Sequence, residues 1–138
     1  MIKNILVFGA LSSEPERVLL YEAMVEVCSG YAEEVSSPID TAQDVSSGGS
    51  RYERALAKVR RANILVGEQS EPSTGQGMEI GYSLQFSKPI IVVAKRGSKV
   101  SGLMKGCPNV KDIVYYDSLE DLKVKLGEAL GRVVDKFI

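Results

Sequence analysis

The chain has 138 residues, of which 44% are hydrophobic and 25% charged, and its formal net charge is −1. These values predict one globular domain with a hydrophobic core and exclude a disordered segment. The near-neutral charge argues against a nucleic-acid partner, which requires a basic surface to meet phosphate groups. No apolar run approaches the roughly 20 residues that span a bilayer, and no signal-peptide cleavage site follows the N-terminus. We therefore expect a cytoplasmic protein with no membrane partner.

Histidine is absent, and the two cysteines, Cys28 and Cys107, lack the spacing of a metal or redox motif. Without histidine there is no imidazole base and no Ser–His or Cys–His nucleophile pair. Two distant cysteines cannot form a zinc site by themselves. Any chemistry must therefore use carboxylates, hydroxyls, lysines or backbone amides, and we expect no metal or other cofactor.

Short apolar runs alternate along the chain with segments of helical periodicity. Continuous apolar runs are typical of parallel strands covered on both faces. The alternation predicts an α/β fold, a flavodoxin- or Rossmann-like three-layer sandwich of about five parallel strands. In chain order, the predicted elements are a strand at residues 5–8, a helix at 14–28, a weaker strand at 32–36, a helix at 51–62, a strand at 64–66, a helix at 78–87, strands at 90–93 and 113–116, and a helix at 119–137.

Loops and caps complete this expectation. Residues 36–50 are rich in Ser, Gly, Pro and Asp and predict a long loop, and residues 97–108 predict a second loop with one helical turn. Asp117, with Glu120 three residues later, resembles a capping box for the last helix. Ligands in such folds bind at the carboxyl ends of the strands, so the loops that follow strands are the candidate sites.

The first of these loops is Gly9-Ala10-Leu11-Ser12-Ser13. A glycine lets the backbone approach a ligand, and two hydroxyls beside a helix N-terminus could hold an anion. The alternative is an ordinary strand–helix turn with a serine cap.

The second loop runs from Glu68 to Glu79 and contains hydroxyl residues and the paired glycines Gly75 and Gly77. It leads into a helix whose first turn is expected to carry Glu79. Exposed amides and the helix dipole at that position would favour an ionised carboxylate, as a nucleophile requires. A glutamate that only caps the helix is the alternative. Glu68 lies at the same edge of the sheet and is therefore also a candidate. The alternative is that it is a charged loop residue exposed to solvent.

The third loop, residues 95–104, contains lysines, an arginine and serines that could contact a phosphate group. A charged loop exposed to solvent is the alternative interpretation.

Several stretches together form one pattern around the second loop. They are Tyr52-Glu53-Arg54, Ala62-Asn63, Ile64-Leu65-Val66-Gly67-Glu68, Pro72-Ser73-Thr74-Gly75-Gln76-Gly77-Met78-Glu79-Ile80-Gly81 and Lys88-Pro89-Ile90. This pattern resembles the nucleoside 2-deoxyribosyltransferase family, and more closely its branch of 2'-deoxynucleoside 5'-phosphate N-hydrolases. The resemblance extends over residues 51–104, whereas the N-terminal third agrees only in general pattern. It implies a single domain of this type over residues 1–138.

The resemblance implies a reaction and its nucleophile. In that family the glutamate of G-x-E-x-G attacks the anomeric carbon of deoxyribose and expels the base. Water or another base then resolves the glycosyl-enzyme intermediate, as in retaining glycosidases. Carried over to this chain, Glu79 is the catalytic nucleophile.

The resemblance also implies a set of substrate-binding residues. Residues about Ser73 would contact the sugar or its 5'-phosphate, and the first loop would line the base and phosphate pocket. Ser101 would contact phosphate across a dimer interface, so the resemblance implies a homodimer or higher homo-oligomer. The predicted substrate-binding residues are Gly9, Leu11, Ser12, Ser73, Gly75, Gly77, Ser101 and Met104.

Three departures from the family pattern bear on activity. The aspartate expected after Tyr-Glu-Arg is Ala55, the arginine expected in the first loop falls at Ser12, and a histidine often found after the second strand is absent. General acid–base assistance is typically worth about 10²–10⁴ in rate. Glu68 or Glu53 could take over this assistance.

Two main hypotheses follow for function. The first is an N-glycosidase, hydrolase or transferase, that acts on a small-molecule nucleoside or its 5'-monophosphate through Glu79. The second is a pseudoenzyme that binds a nucleotide without turnover, because Ala55 and Ser12 replace the expected groups. An NAD-type or ribosyl N-glycosidase is a third, weaker possibility, and flavodoxin and response-regulator functions lack their characteristic residues.

Overall fold

The computed structural model describes residues 1–11, 14–42 and 48–138, in which five strands and six helices alternate. In chain order they are β1 (Ile2–Phe8), α1 (Pro15–Cys28), β2 (Ala32–Ser36), α2 (Pro38–Ala42), α3 (Gly48–Arg61), β3 (Ile64–Glu68), α4 (Thr74–Leu84), β4 (Ile90–Lys95), α5 (Gly102–Gly106), β5 (Val110–Tyr116) and α6 (Leu119–Phe137).

The strands form one parallel sheet in the order β2-β1-β3-β4-β5. Leu6 lies beside Leu65 and Phe8 beside Gly67 where β1 pairs with β3. After β1 the chain builds outward to β2 and then returns to the other side of β1, so the strand order reverses between β1 and β3. Such a switch point is where ligands bind in open α/β sheets, and the predicted fold class is confirmed.

The two faces of the sheet are covered by different helices, because successive strand residues point to opposite sides. We call the side packed against α1 and α6 the closed face. We call the side packed against α3, α4 and α5 the open face. Buried residues of the closed-face cluster include Ile5, Val7, Tyr21, Met24, Ile64, Val66, Ile91, Val93, Leu122, Leu126 and Leu130. Those of the open-face cluster include Leu6, Phe8, Val59, Leu65, Ile80, Ile90, Val92 and Met104.

The predicted long loop at residues 36–50 is partly wrong. It contains α2 and the first residues of α3, while residues 43–47 lie outside the described part of the chain. Pro38 begins α2, a position where the missing N–H of proline costs nothing. The third predicted helix, at residues 78–87, also differs in its bounds, since α4 begins at Thr74 and not at residue 78.

The cap of α6 lies one residue later than predicted. Ser118 has an extended backbone, and its Oγ accepts a hydrogen bond of 3.1 Å from the amide of Asp121. The Asp121 carboxylate in turn accepts a bond of 2.9 Å from the amide of Asp117. A hydroxyl at the first non-helical position satisfies an amide of the first turn directly, so Ser118 and not Asp117 is the cap.

Among the described helices, none combines the length and apolar composition that a membrane span needs.

Candidate active site

A cavity of about 460 Å³ opens on the open face, where α3 and α4 border the carboxyl end of β1. Its floor is apolar, and its walls carry a few polar and charged side chains. Such a volume is typical of a small-molecule site. The lining residues are Leu6, Val7, Phe8, Gly9, Leu11, Pro38, Arg51, Tyr52, Ala55, Leu56, Lys58, Ser73, Gly75, Gln76, Met78 and Glu79.

Five of the predicted site residues line this one cavity, although they come from two separate loops and a helix. Gly9 and Leu11 follow β1, Ser73 and Gly75 begin α4, and Glu79 lies further along α4. The structure therefore brings together the first and second predicted loops around a common space.

The other predicted site residues lie elsewhere. Gly77 is exposed on α4 outside the cavity lining. Ser101 caps α5, where its Oγ accepts a hydrogen bond of 3.2 Å from the amide of Leu103. Met104 is buried in the open-face cluster. Ser12 lies outside the described residues.

Glu79 lies in the second turn of α4, because Ser73 caps the helix and accepts a hydrogen bond of 3.2 Å from the amide of Gln76. The expected position in the first turn, where the dipole favours an ionised carboxylate, is therefore wrong. Burial instead raises the pKa of Glu79 to about 7, and the positive charge of Lys58 opposes this shift. No hydrogen bond or ion pair with another described residue engages the Glu79 carboxylate.

The second loop is held by a buried amide. Gln76 donates a hydrogen bond of 2.9 Å to the carbonyl of Glu71, and it accepts one from the side chain of Gln69. Both glutamines are buried. These bonds fix the loop that precedes Glu79, which positions the wall of the cavity formed by Ser73 and Gly75.

The first loop is held by Tyr21, whose hydroxyl donates a hydrogen bond of 2.6 Å to the carbonyl of Ala10. A Cβ at Gly9 would overlap the phenol ring of Tyr21. Gly9 is therefore required by this close approach of a side chain, and it contributes only backbone to the cavity.

Glu68 belongs to a buried polar cluster on the closed face. Its carboxylate accepts hydrogen bonds from Ser70 Oγ (2.7 Å), the amide of Ser70 (2.7 Å), the Tyr116 hydroxyl (2.6 Å) and Arg17 Nη1 (3.4 Å). Burial and the bond to Glu68 raise the pKa of Tyr116, which keeps its hydroxyl a donor.

The hypothesis that Glu68 assists chemistry at Glu79 is therefore wrong, because Glu68 is 0% exposed and its donors Arg17 and Tyr116 belong to the other side of the sheet. Glu53 is exposed on α3 and is not a lining residue. Neither carboxylate lines the cavity, whereas Ala55, at the position of the expected aspartate, does.

Arg51, Tyr52 and Lys58 are lining residues that sequence reasoning missed. Positions 51, 55 and 58 are spaced four and three residues apart, so they lie on one face of α3. This spacing, on a helix beside the switch point of the sheet, is the feature of the sequence that could have identified them as lining residues. Arg51 and Lys58 supply the positive charge of the cavity and Glu79 its carboxylate.

The described residues contain no group of three His, Cys, Asp or Glu side chains arranged to hold a metal ion.

The chain is similar to known proteins both in sequence and in fold. No protein-family model matches it. It is 31% identical over 119 residues to a protein of Syntrophotalea carbinolica provisionally named 2'-deoxynucleoside 5'-phosphate N-hydrolase 1, covering 81% of this chain and 83% of that protein. Two solved structures, each 16% identical, share its fold. They are a CMP N-glycosidase of Clostridium botulinum, with a TM-score of 0.68 over 90% of this chain and 98% of that one, and a 2-deoxyribosyltransferase of Leishmania mexicana, with a TM-score of 0.65 over 99% of both.

Proposed function

Because the chain belongs to the nucleoside 2-deoxyribosyltransferase family, in its branch of 2'-deoxynucleoside 5'-phosphate N-hydrolases, we propose that it cleaves the N-glycosidic bond of a nucleoside or its 5'-monophosphate with Glu79 as the nucleophile. Family membership makes the chain an N-glycosidase. The role of Glu79 rests mainly on one observation, that it is the carboxylate which lines the cavity at the switch point of the sheet.

In the first step, an oxygen of the ionised Glu79 carboxylate bonds to the anomeric carbon while the bond from that carbon to the base nitrogen breaks. The base leaves with the electron pair and takes a proton from solvent. Because burial raises the pKa of Glu79 to about 7, the nucleophilic form accumulates as the pH rises through neutrality. The apolar floor lowers the local dielectric constant, which strengthens electrostatic interactions in the cavity.

In the second step, a water oxygen bonds to the anomeric carbon and the ester bond to Glu79 breaks. The sugar leaves with a hydroxyl group, and the remaining proton of the water passes to solvent. If another base attacks in place of water, the outcome is transfer and not hydrolysis. The half-open cavity admits either acceptor.

The lining supports a substrate with a flat apolar part and an anionic or hydroxyl-rich part. Leu6, Phe8 and Leu56 offer an apolar surface suited to a base. Arg51 and the first amides of α4, next to Ser73, offer groups suited to a phosphate or to sugar hydroxyls. We infer that Ser101, which does not line the cavity of its own chain, acts in the cavity of a second copy in a homodimer or higher homo-oligomer.

The test is release of free base from a panel of deoxynucleosides, ribonucleosides and their 5'-monophosphates, separated by chromatography, with and without an acceptor base. We expect base release from at least one substrate, and loss of about 10³-fold or more in Glu79→Gln. Glu53→Gln, the same change at an exposed glutamate outside the cavity, should keep wild-type activity.

No base release from any substrate at high protein concentration would reject the proposed reaction. Full activity of Glu79→Gln would remove Glu79 from the nucleophile role while leaving the N-glycosidase assignment intact. A thermal unfolding scan of both variants establishes that each is folded under the assay conditions.

Ala55 favours a second candidate function. It lines the cavity at the position of the expected aspartate, and no described carboxylate other than Glu79 lines the cavity. A protein that binds a nucleotide without turnover would give saturable binding to the same panel, measured by calorimetry, and no free base.

A further inference from the structure

A stripe of residues on α3 lines the same cavity as Glu79. It consists of Arg51, Ala55 and Lys58, which are spaced four and three residues apart and all line the cavity. Lys58 lies one turn beyond Ala55 on the same face of the helix. A small apolar side chain at 55 leaves no carboxylate there to compete with Glu79 for the Lys58 ammonium group.

We propose that Lys58 is a positioning residue for the nucleophile: its ammonium group is the charge partner that holds the Glu79 carboxylate in its ionised form. This inference rests on the proposed function of Glu79. Lys58 takes no part in bond making, and it sets the pH range in which the cavity contains a nucleophile.

The surroundings of Lys58 leave it available for this role. It is half-buried, and within the described part of the chain no hydrogen bond or ion pair of at most 4.0 Å engages its ammonium group. It also makes no direct ion pair with Glu79, so the two charges interact through the cavity. Such an interaction strengthens when a substrate displaces water, because the local dielectric constant falls.

Few other charged groups line the cavity and could take the place of the Lys58 ammonium group beside Glu79. From α3, the titratable or charged side chains that line the cavity are Arg51, Tyr52 and Lys58. Among described residues, β1, the first loop and α2 contribute none to the lining, and α4 contributes only Glu79 itself. Among the described residues, Lys58 is the cation whose positive charge opposes the rise of the Glu79 pKa caused by burial.

The experiment compares Lys58→Met, which keeps the stem and removes the charge, with Lys58→Arg, which keeps the charge. Base release is measured from pH 5 to pH 9, and kcat/KM is plotted against pH. We expect Lys58→Met to move the rising limb to higher pH by about one unit, with a loss of about fivefold at pH 7 and much less at pH 9. Lys58→Arg should stay close to the wild-type profile.

The matched control is Lys3→Met, which removes the same charge from an exposed lysine at the opposite, amino-terminal edge of the sheet. Its profile should superimpose on that of the wild type. If Lys58→Met is poorly folded in a thermal scan, Lys58→Gln replaces it. A loss of activity in Lys58→Met that is equal at every pH, or an unshifted profile, would overturn the proposal, because a purely structural role predicts the former.

A second readout does not require turnover. Protein labelled with ¹³C at glutamate carboxyl carbons is titrated by NMR, and the Glu79 signal is assigned by its absence in Glu79→Gln. We expect the Glu79 titration to move upward in Lys58→Met and not in Lys3→Met. An upward shift with an active Glu79→Gln would reject the nucleophile and keep the charge pairing. An unchanged titration with an inactive Glu79→Gln would reject the charge pairing and keep the nucleophile.

Discussion

The closed and open faces of the sheet are built from the same five strands, yet they are covered in different ways. On the closed face, α1 and α6 bury Leu122, Leu126 and Leu130 completely. On the open face, α3 and α4 leave a cavity of about 460 Å³, and its wall residues Ala55 and Leu56 are only half-buried. One face is thus closely packed, and the other leaves a cavity large enough for a small molecule.

The two faces also differ in the hydrogen bonding of a glutamate near the carboxyl end of the strands. Glu68, on the closed face, has hydrogen-bond donors at both carboxylate oxygens. Glu79, on the open face, has a raised pKa of about 7 and no described hydrogen-bond partner. A fully bonded carboxylate stabilises a structure, whereas an unbonded carboxylate beside an apolar floor is available to react.

The largest effect should come from breaking the polar cluster of the closed face. Glu68→Gln places an amide NH₂ opposite Ser70 or Tyr116 and leaves Arg17 buried without a charge partner. We expect a loss of about 3–5 kcal/mol in the free energy of unfolding, measured by urea denaturation at pH 7. Glu34→Gln, at an exposed position on β2, is the control and should change stability by less than about 0.5 kcal/mol. A loss below about 1 kcal/mol in Glu68→Gln would mean that the cluster does not stabilise the closed face.

A leucine-to-alanine pair compares the packing of the two faces directly. Leu126→Ala removes a fully buried side chain from α6 and should cost about 3 kcal/mol. Leu56→Ala removes a half-buried side chain from the cavity wall and should cost about 1 kcal/mol or less. Thermal and urea unfolding measure both losses. Equal losses would show that the open face is packed as tightly as the closed one.

The floor of the cavity depends on a close approach between neighbouring strands. A Cβ at Gly67 would overlap the ring of Phe8, which is buried and lines the cavity. We expect Gly67→Ala to cost about 2 kcal/mol of stability, because the ring must move in a packed environment. Gly81→Ala, on α4 with open space around it, should be neutral or slightly stabilising. If Gly67→Ala is as stable as the wild type, the ring of Phe8 is free to shift.

The smallest effect concerns the pH dependence of stability. The folded-state pKa of Glu79, about 7, lies above its ordinary value of 4.5, so the folded protein binds this proton more tightly than the unfolded chain. The resulting stability is complete below about pH 4.5 and is lost as the pH rises through 7. Compared with Glu79→Gln, the wild type should therefore lose about 1–2 kcal/mol between pH 4.5 and pH 8, a figure reduced for the partial exposure of Glu79.

Urea denaturation of both proteins at several pH values measures this difference. Glu53→Gln, which is exposed, should show no such trend relative to the wild type. Parallel stability curves for Glu79→Gln and the wild type would mean that Glu79 is well solvated, which would weaken the contrast between the two faces.

Much of this architecture could be predicted from local sequence alone. The apolar runs that predicted strands at residues 64–66 and 90–93 lie within β3 and β4, and α6 begins and ends where its periodicity indicated. Two of the predictions that failed depended on single hydrogen bonds. Ser73 starts α4 early enough to place Glu79 in the second turn, and Ser118 takes the cap expected at Asp117. Several residue types can cap a helix, so the pattern alone does not choose between neighbours.

The sequence by itself determined the fold class, the family and the segment that carries Glu79, because each depends on a periodic apolar pattern or on residues close together in the chain. Only the tertiary structure decided which side chains share the cavity. Glu68 ends β3 and Glu79 follows that strand on α4, but the alternation of side chains along β3 and the packing of α1 place Glu68 beside Arg17, 51 residues away in the chain. The packing of α3 against α4 likewise brings Lys58 to Glu79. Contacts between distant segments set burial and charge, and these two quantities distinguish the hydrogen-bonded carboxylate of Glu68 from the unbonded carboxylate of Glu79.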